Sequence, residues 1–347
     1  MPMEKTNMSE LLLRLMNTFG VSGHEEEVRA LIQKEIKPYV DSIEIDPLGN
    51  LIARKTGEKP KVMLAAHMDE IGLMVKSITE KGHIRFSEIG GFQPINLIGH
   101  TVKLRAKEGF MDGVITTNEI NNDYDVLHIP RVRDMYIDTG LRKNDLERKG
   151  IEIGSYISFE SKNTWLGSKD LVCGKALDDR IGCYMLIELA KRVKNVQNEL
   201  YFVFTVQEEI GLYGAKTSAY EIEPDWALAV DTTNANDANE EPTKSIGSGP
   251  CLTIKDQEMI SNKCITDWLK EAAKKNHIPL QIEVSNFGTT DALNISMTKG
   301  GVPSAVLSIA IRNPHTTNGI AHMKDIQNGI DLLEAVLKGP PSKCLPR

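Results

Sequence analysis

Apolar positions near the start of the chain recur at helical spacing. Leu11, Leu12, Leu15 and Met16 share one side of residues 9–19, with Ser9 placed to cap that helix and Gly20 to stop it. Val28, Leu31, Ile32 and Ile36 repeat the pattern across residues 25–39. The period then changes. Residues 42–54 alternate apolar and polar about Pro47-Leu48-Gly49-Asn50, a hairpin signal. Residues 61–66 form a short apolar run of the kind a buried strand makes, ending on His67. From 75 to 159 helical periodicity is weak, and short alternating runs at 83–86, 101–106 and 156–159 are broken by Gly and Asn. This predicts an inserted all-β domain.

Strand and helix alternate from residue 171 onward. Residues 179–193 are helical, with Met185, Leu186, Leu189, Ala190 and Val193 on one face. The runs 200–206, 226–230 and 302–311 are strongly apolar; 265–275 and 324–337 read as helices, with a short strand at 280–284. Buried strands alternating with helices predict an α/β fold, a mostly parallel sheet flanked by helices, carrying the all-β insertion. At 347 residues the chain exceeds the usual single domain of roughly 100–200. The expected division is 1–74 and 161–338 as two parts of one domain, 75–160 as the insertion, and 339–347 as a loose tail.

Composition narrows the class. Hydrophobic content of 41% and charged content of 26% describe an ordinary globular chain. Lys and Arg total 41 against 48 Asp and Glu, and a net charge of −7 repels phosphate backbones, so no nucleic-acid partner is expected. No apolar run is long enough to span a bilayer, and MPMEKTNMSE lacks the apolar stretch of a secretory signal. Five cysteines without a C-x-x-C pair argue against a disulfide framework or a cysteine zinc site. A reducing, cytoplasmic setting is the simplest expectation. A metal here would be held by His, Asp and Glu.

Those residue types fall where such a site would need them. The run 62–66 ends on His67, with Asp69 two residues on; 201–206 is followed by Glu208-Glu209; 227–230 ends on Asp231; and 306–311 is followed by His315. In open α/β sheets ligands bind at the carboxyl ends of strands, so all four runs deliver N and O donors to one edge. Asp178-Asp179 precedes a helix. Asp179 reads as a helix cap, while Asp178 is free to point into the cleft, and its two oxygens can bridge two cations. Adjacent residues of an extended strand point opposite ways, so Glu208 and Glu209 serve one site only if the strand ends and turns there; Gly211 favours such a turn. One glutamate would bind metal and the other accept a proton.

The segments AAHMDEIGLMV (65–75), GKALDDRIGC (174–183), VQEEIGLYGA (206–215) and AVDTT (229–233), with the late His315, resemble the tetrahedral-type (TET) metalloaminopeptidases, the glutamyl or deblocking aminopeptidases. DPLGNLIARK, GGFQPINLIGHTVKL and YIDTG extend the resemblance over nearly the whole chain. The resemblance implies a metal-dependent aminopeptidase that releases N-terminal residues from peptides with two divalent cations per subunit. His67 and Asp231 would each hold one metal, Glu209 and His315 the other, and Asp178 would bridge them. Glu208 would be the general base, and Asp69 would hydrogen-bond His67 from behind. A cis Asp178-Asp179 peptide is implied as well. Donors of this kind suit zinc, and cobalt or manganese also fit. The family further implies a homo-oligomer, a dimer or a dodecamer, with the insertion serving assembly or substrate access. Three departures stand out: His322 takes the place of an acidic residue after His315, the family's Gly-Gly-Thr-Asp-Ala word appears as Phe287-Gly288-Thr289-Thr290-Asp291-Ala292, and 117–133 is unusual. The alternatives are a two-metal deacylase of N-acyl amino acids and, further off, a glycoside hydrolase using paired carboxylates.

Overall fold

The computed structural model describes residues 3–118, 120, 129–194 and 197–339; much of the unusual 117–133 segment, with His128, and the tail from 340 lie outside them. Among these residues the main sheet has eleven strands. Its order is β1 (Ser42–Ile45), β2 (Leu51–Lys55), β12 (Asn198–Thr205), β3 (Glu58–His67), β13 (Trp226–Asn234), β16 (Ser304–Arg312), β17 (Gly319–His322), β11 (Leu171–Gly174) and β10 (Thr164–Trp165). β14 (Cys251–Lys255) also pairs with β16, and β15 (Gln281–Val284) pairs with β14. The centre, β12-β3-β13-β16, is parallel, whereas β1, β2, β17, β11 and β10 join antiparallel. The expectation of a mostly parallel sheet therefore describes the middle and not the flanks. Apolar periodicity reports burial, and strand direction is set by connections it does not see.

The central strands are apolar because both of their faces are covered. Val62, Leu64 and Ala66 point to one face, against α1 (Met3–Asn17), α2 (Glu26–Ile36), α4 (Leu177–Arg192), α6 (Lys263–Lys275) and α8 (Met323–Leu337). Met63 and Ala65 point the other way, against α5 (Tyr213–Ile222) and α7 (Ala292–Ser296). α1 begins at Met3, so Ser9 lies inside the helix rather than capping it; local preference for a cap does not by itself end a helix. α2 gives way to a single 3₁₀ turn, Lys37–Tyr39, at Pro38.

The insertion closes into a six-stranded barrel. Its strands run β4 (Gly72–Ile78), β5 (Ile84–Ile89), β8 (Met135–Asp138), β7 (Phe110–Thr117), β6 (Thr101–Arg105) and β9 (Tyr156–Phe159), with the short α3 (Lys143–Arg148) packed outside. Leu73, Phe86, Leu104, Ile137 and Ile157 fill it as a core separate from that of the sheet. Closure leaves no exposed strand edge. A buried knot fastens barrel to sheet: Lys175 Nζ donates to both Glu70 oxygens at 2.9 and 2.7 Å and to Ser158 on β9 at 2.8 Å. Cys173, Cys183 and Cys251 are free and Cys264 is disulfide-bonded, a pairing that spacing alone does not reveal.

Candidate metal centre

Strand register brings the first donors together. Thr205 on β12 pairs with His67, and Ala229 on β13 pairs with Ala65, so Asp231 stands level with His67 two residues further on. His67 Nε2 lies 3.2 Å from Asp178 Oδ1, 3.8 Å from Asp231 Oδ1 and 4.0 Å from Glu208 Oε2. From the far side, His315 Nε2 lies 3.3 Å from Asp178 Oδ2 and 3.5 Å from Glu209 Oε1. All the sequence-derived donors therefore meet in one cleft. His322 is not among them; it starts α8, where its Nδ1 accepts from the Lys324 amide.

The Glu208-Glu209 turn is aimed by its own backbone. β12 ends at Thr205, and Gln207 takes a left-handed φ of 55°. The next amides are each held by a side chain. Val206 N donates to Asn50 Oδ1 at 3.0 Å and Gln207 N to Glu25 Oε1 at 3.2 Å. Glu208 N and Glu209 N donate to the two oxygens of Asp69, each at 3.1 Å. Four consecutive amides so held fix both carboxylates toward the cleft. The Asp69 carboxylate is 3.6 Å from His67 Nδ1, beyond a sound hydrogen bond, and the His67 ring contacts the Asp69 backbone oxygen at 3.1 Å instead. The contact differs from the expected one because the carboxylate is engaged by two amides. Glu25 was not singled out by the sequence; as the first of three consecutive glutamates before a helix it reads as an ordinary acidic helix start.

The Asp178-Asp179 peptide is cis. Asp179 Oδ1 accepts from Gly182 N at 2.9 Å, as a cap would, but its buried Oδ2 has no partner. On the barrel side, Gly91 between β5 and β6 offers its carbonyl oxygen to His315 Nδ1. Gly90 beside it must be glycine: its φ is 79°, and a Cβ there would lie 2.6 Å from Ile71 Cγ2 and 3.1 Å from Glu209 Oε2.

Electrostatically the cluster lacks positive charge. Burial raises the Glu208 carboxyl well above its ordinary range against the pull of His67, and Asp231 and Glu209 add to the rise. Burial likewise raises Asp231 and Asp179, and it lifts Glu209 to about 7. Burial opposes the charge of His67, yet Glu208, Asp178, Asp69 and Asp231 hold it well above normal; His315 reaches about 10 beside Glu209 and Asp178. Asp178 falls, its burial outweighed by hydrogen bonds from both histidines, and Asp69 falls too, its burial outweighed by His67 and by the Glu208 and Glu209 amides. Divalent cations supply the missing charge. The spacing also suits them. Metal–ligand bonds of about 2.0–2.1 Å at tetrahedral angles separate ligand atoms by about 3.3 Å, close to the 3.2–3.8 Å found between the donors here. His67, Asp178 and Glu209 form one group of donor atoms within 4.8 Å of one another, and His67, Asp179 and Asp231 another.

A partly buried set of histidines and carboxylates at the carboxyl edge of a parallel sheet, opening into a cleft of about 1270 Å³, defines a metal-dependent hydrolase. The model of the M42 glutamyl aminopeptidases matches residues 49–332. A putative aminopeptidase of Acetivibrio thermocellus is 42% identical over 333 residues, covering 95% of this chain and 98% of that one. The lysyl aminopeptidase of Pyrococcus furiosus is 35% identical, covering 95% and 96%. The solved Pyrococcus horikoshii TET1 peptidase, which can assemble into a tetrahedron or a large octahedral shell, superposes with a TM-score of 0.87 at 30% identity, covering 95% and 99%. The chain belongs to the M42 glutamyl aminopeptidase family. It is an aminopeptidase, a metal-dependent hydrolase of peptide bonds. Among the described residues no helix is long and apolar enough to cross a membrane.

Proposed function

We propose that this enzyme removes N-terminal residues from peptides with two divalent cations, one held by His67 and Asp231, the other by Glu209 and His315, with Asp178 shared between them. The observation that carries the reading is the orientation of Asp178, whose Oδ1 faces His67 and whose Oδ2 faces His315. Asp179 is the weaker candidate for that bridge, since one of its oxygens already serves the Gly182 amide. Zinc is the metal the donor set suits best, ahead of cobalt or manganese.

When bound, the cations supply Lewis acidity that makes a water nucleophilic near neutral pH and polarises the scissile carbonyl. Glu208 accepts the proton of the attacking water and returns it to the departing amine. Its position 4.0 Å from His67 Nε2 suits that work. Asp69 holds the Glu208 and Glu209 amides and so keeps base and ligand in place together. Holding the substrate's free α-amine at the metal centre would restrict cleavage to the first peptide bond. We assign the inserted barrel to assembly and substrate access, in a cytoplasmic homo-oligomer.

The test is an aminoacyl-nitroanilide panel beside N-acetylated counterparts, before and after metal removal by a chelator. Cleavage of the free-amine substrates, lost on chelation and restored by zinc, is the expected result. Hydrolysis of N-acyl amino acids with the aminoacyl substrates untouched would make the enzyme a deacylase. Chelator-resistant activity on glycosides would overturn the role of metal.

A further inference from the structure

The cleft continues from the metal donors along one face of the sheet. Asp231 and Thr233 lie two residues apart on β13, so their side chains share that face, their Cα atoms roughly 6–7 Å apart. Thr233 is tied to a buried ion pair. Lys244 Nζ donates to Thr233 Oγ1 at 2.9 Å and is bonded to Glu283 Oε1. Thr233 and Thr253 both donate to Glu283, each at 2.9 Å. The Lys244 side chain is 12% exposed and that of Glu283 5%, and both residues line the cleft. The loop carrying Lys244 is itself pinned, because Asn236 Oδ1 accepts from the Thr243 and Lys244 amides at 3.0 and 2.8 Å.

The contacts to Thr233 place this pair about one side-chain length beyond Asp231. We propose that the side chain of a peptide's first residue projects here, that Lys244 and Glu283 form the floor of its pocket, and that by neutralising each other they select first residues with uncharged side chains. The inference rests on the aminopeptidase reading above. A charged side chain entering here would be stripped of water and would meet a field already cancelled, so it gains too little to offset its desolvation. A neutral side chain pays no such penalty. Two further acidic residues, Asp256 and Glu258, line the same cleft. β14 runs antiparallel to β16, Cys251 opposite Ser308 and Thr253 opposite Val306, while Ser308 pairs with Asp231. Glu283 pairs with Thr253 and reaches Thr233 through its side chain, while Asp256 and Glu258 follow β14.

The proposal makes opposite demands of two isosteric or near-isosteric changes. Glu283→Gln leaves the lysine unneutralised, and Lys244→Met leaves the glutamate unneutralised. The experiment measures kcat/KM of the zinc-loaded enzyme for leucyl, glutamyl and lysyl nitroanilides, with inhibition constants of free leucine, glutamate and lysine as a binding readout. Wild type should favour leucyl over both charged substrates. Glu283→Gln should raise the glutamyl-to-leucyl ratio by about tenfold or more, and Lys244→Met the lysyl-to-leucyl ratio by a similar factor, the scale of one hydrogen bond to a charged group. The exchanged double variant, Lys244→Glu with Glu283→Lys, should return toward the wild-type order. Melting temperature and metal content identify a variant that has not folded, in which case Lys244→Gln replaces Lys244→Met. Wild type preferring a charged substrate tenfold, or ratios unmoved in folded variants, overturns the inference while leaving aminopeptidase activity intact. Failure of the underlying reading looks different, since wild type would then cleave none of the three.

Discussion

Replacing Asp69 by Asn tests how the base and its neighbouring ligand are held. The Asp69 side chain is fully buried and accepts the Glu208 and Glu209 amides at 3.1 Å each. Asparagine offers one oxygen and one NH2, so one amide keeps its acceptor and the other faces a donor. The loss of a hydrogen bond to a charged group, about 1.5–3 kcal/mol, overlaps with the cost of a stranded buried N–H, giving about 2–4 kcal/mol together. At about 1.4 kcal/mol per factor of ten, displacement of the turn then costs about 30- to 1000-fold. The assay is metal affinity by competition with a chromophoric chelator, followed by kcat at saturating metal. We expect weaker binding of the cation that Glu209 holds and a lower kcat that excess metal does not repair, because Glu208 moves too. The His67 ring should be unaffected, since it contacts the Asp69 backbone oxygen, which the substitution keeps. Unchanged affinity together with unchanged kcat would refute the view that this carboxylate orders the turn.

The two glutamates should part company when neutralised. Glu208→Gln should keep both metals while kcat falls about 10²- to 10⁴-fold, and Glu209→Gln should lose one metal by elemental analysis; the reverse pattern exchanges their roles. Gly90→Ala should push Ile71 and Glu209 and reduce metal occupancy to near one per chain, and full occupancy in a folded variant would contradict the close approach. Glu25 gives a pH dependence. Burial, with Asp69 nearby, lifts its carboxyl to about 7 from 4.5. The folded chain thus keeps a proton that the unfolded chain releases, and stability falls as pH rises through that window. Glu25→Gln removes this loss, so in urea unfolding it should gain on wild type by on the order of 2–3 kcal/mol between pH 5 and pH 8; a constant difference would refute it.

Much of the site was legible because strands ending on donors leave a local mark. His67, Asp231 and the Glu208-Glu209 pair each follow an apolar run, and parallel register does the rest. Long-range contacts leave none. Nothing in the spacing of Lys175, Glu70 and Ser158 announces that they meet in the interior, and the grip of Asn50 and Glu25 on Val206 and Gln207 spans more than a hundred residues of chain. The Asp69 contact was misjudged for a related reason. Two residues from a ligand histidine, a carboxylate reads as its partner, and only the folded turn reveals two amides competing for it. The barrel was visible as a change of period, and its closure was not, since closure depends on β6 finding β9 across the intervening strands.

The Gly91 carbonyl that receives His315 belongs to the barrel, and the histidine belongs to the sheet. Occupancy of the site and seating of the barrel are therefore linked equilibria, and linkage is reciprocal. A cation that requires this orientation of His315 tightens the barrel against the sheet by as much free energy as the seated barrel adds to the cation's affinity. In the proposed homo-oligomer, neighbouring subunits pressing on the barrel would then tune metal retention from a distance, and a starved enzyme would loosen first at the joint between barrel and sheet.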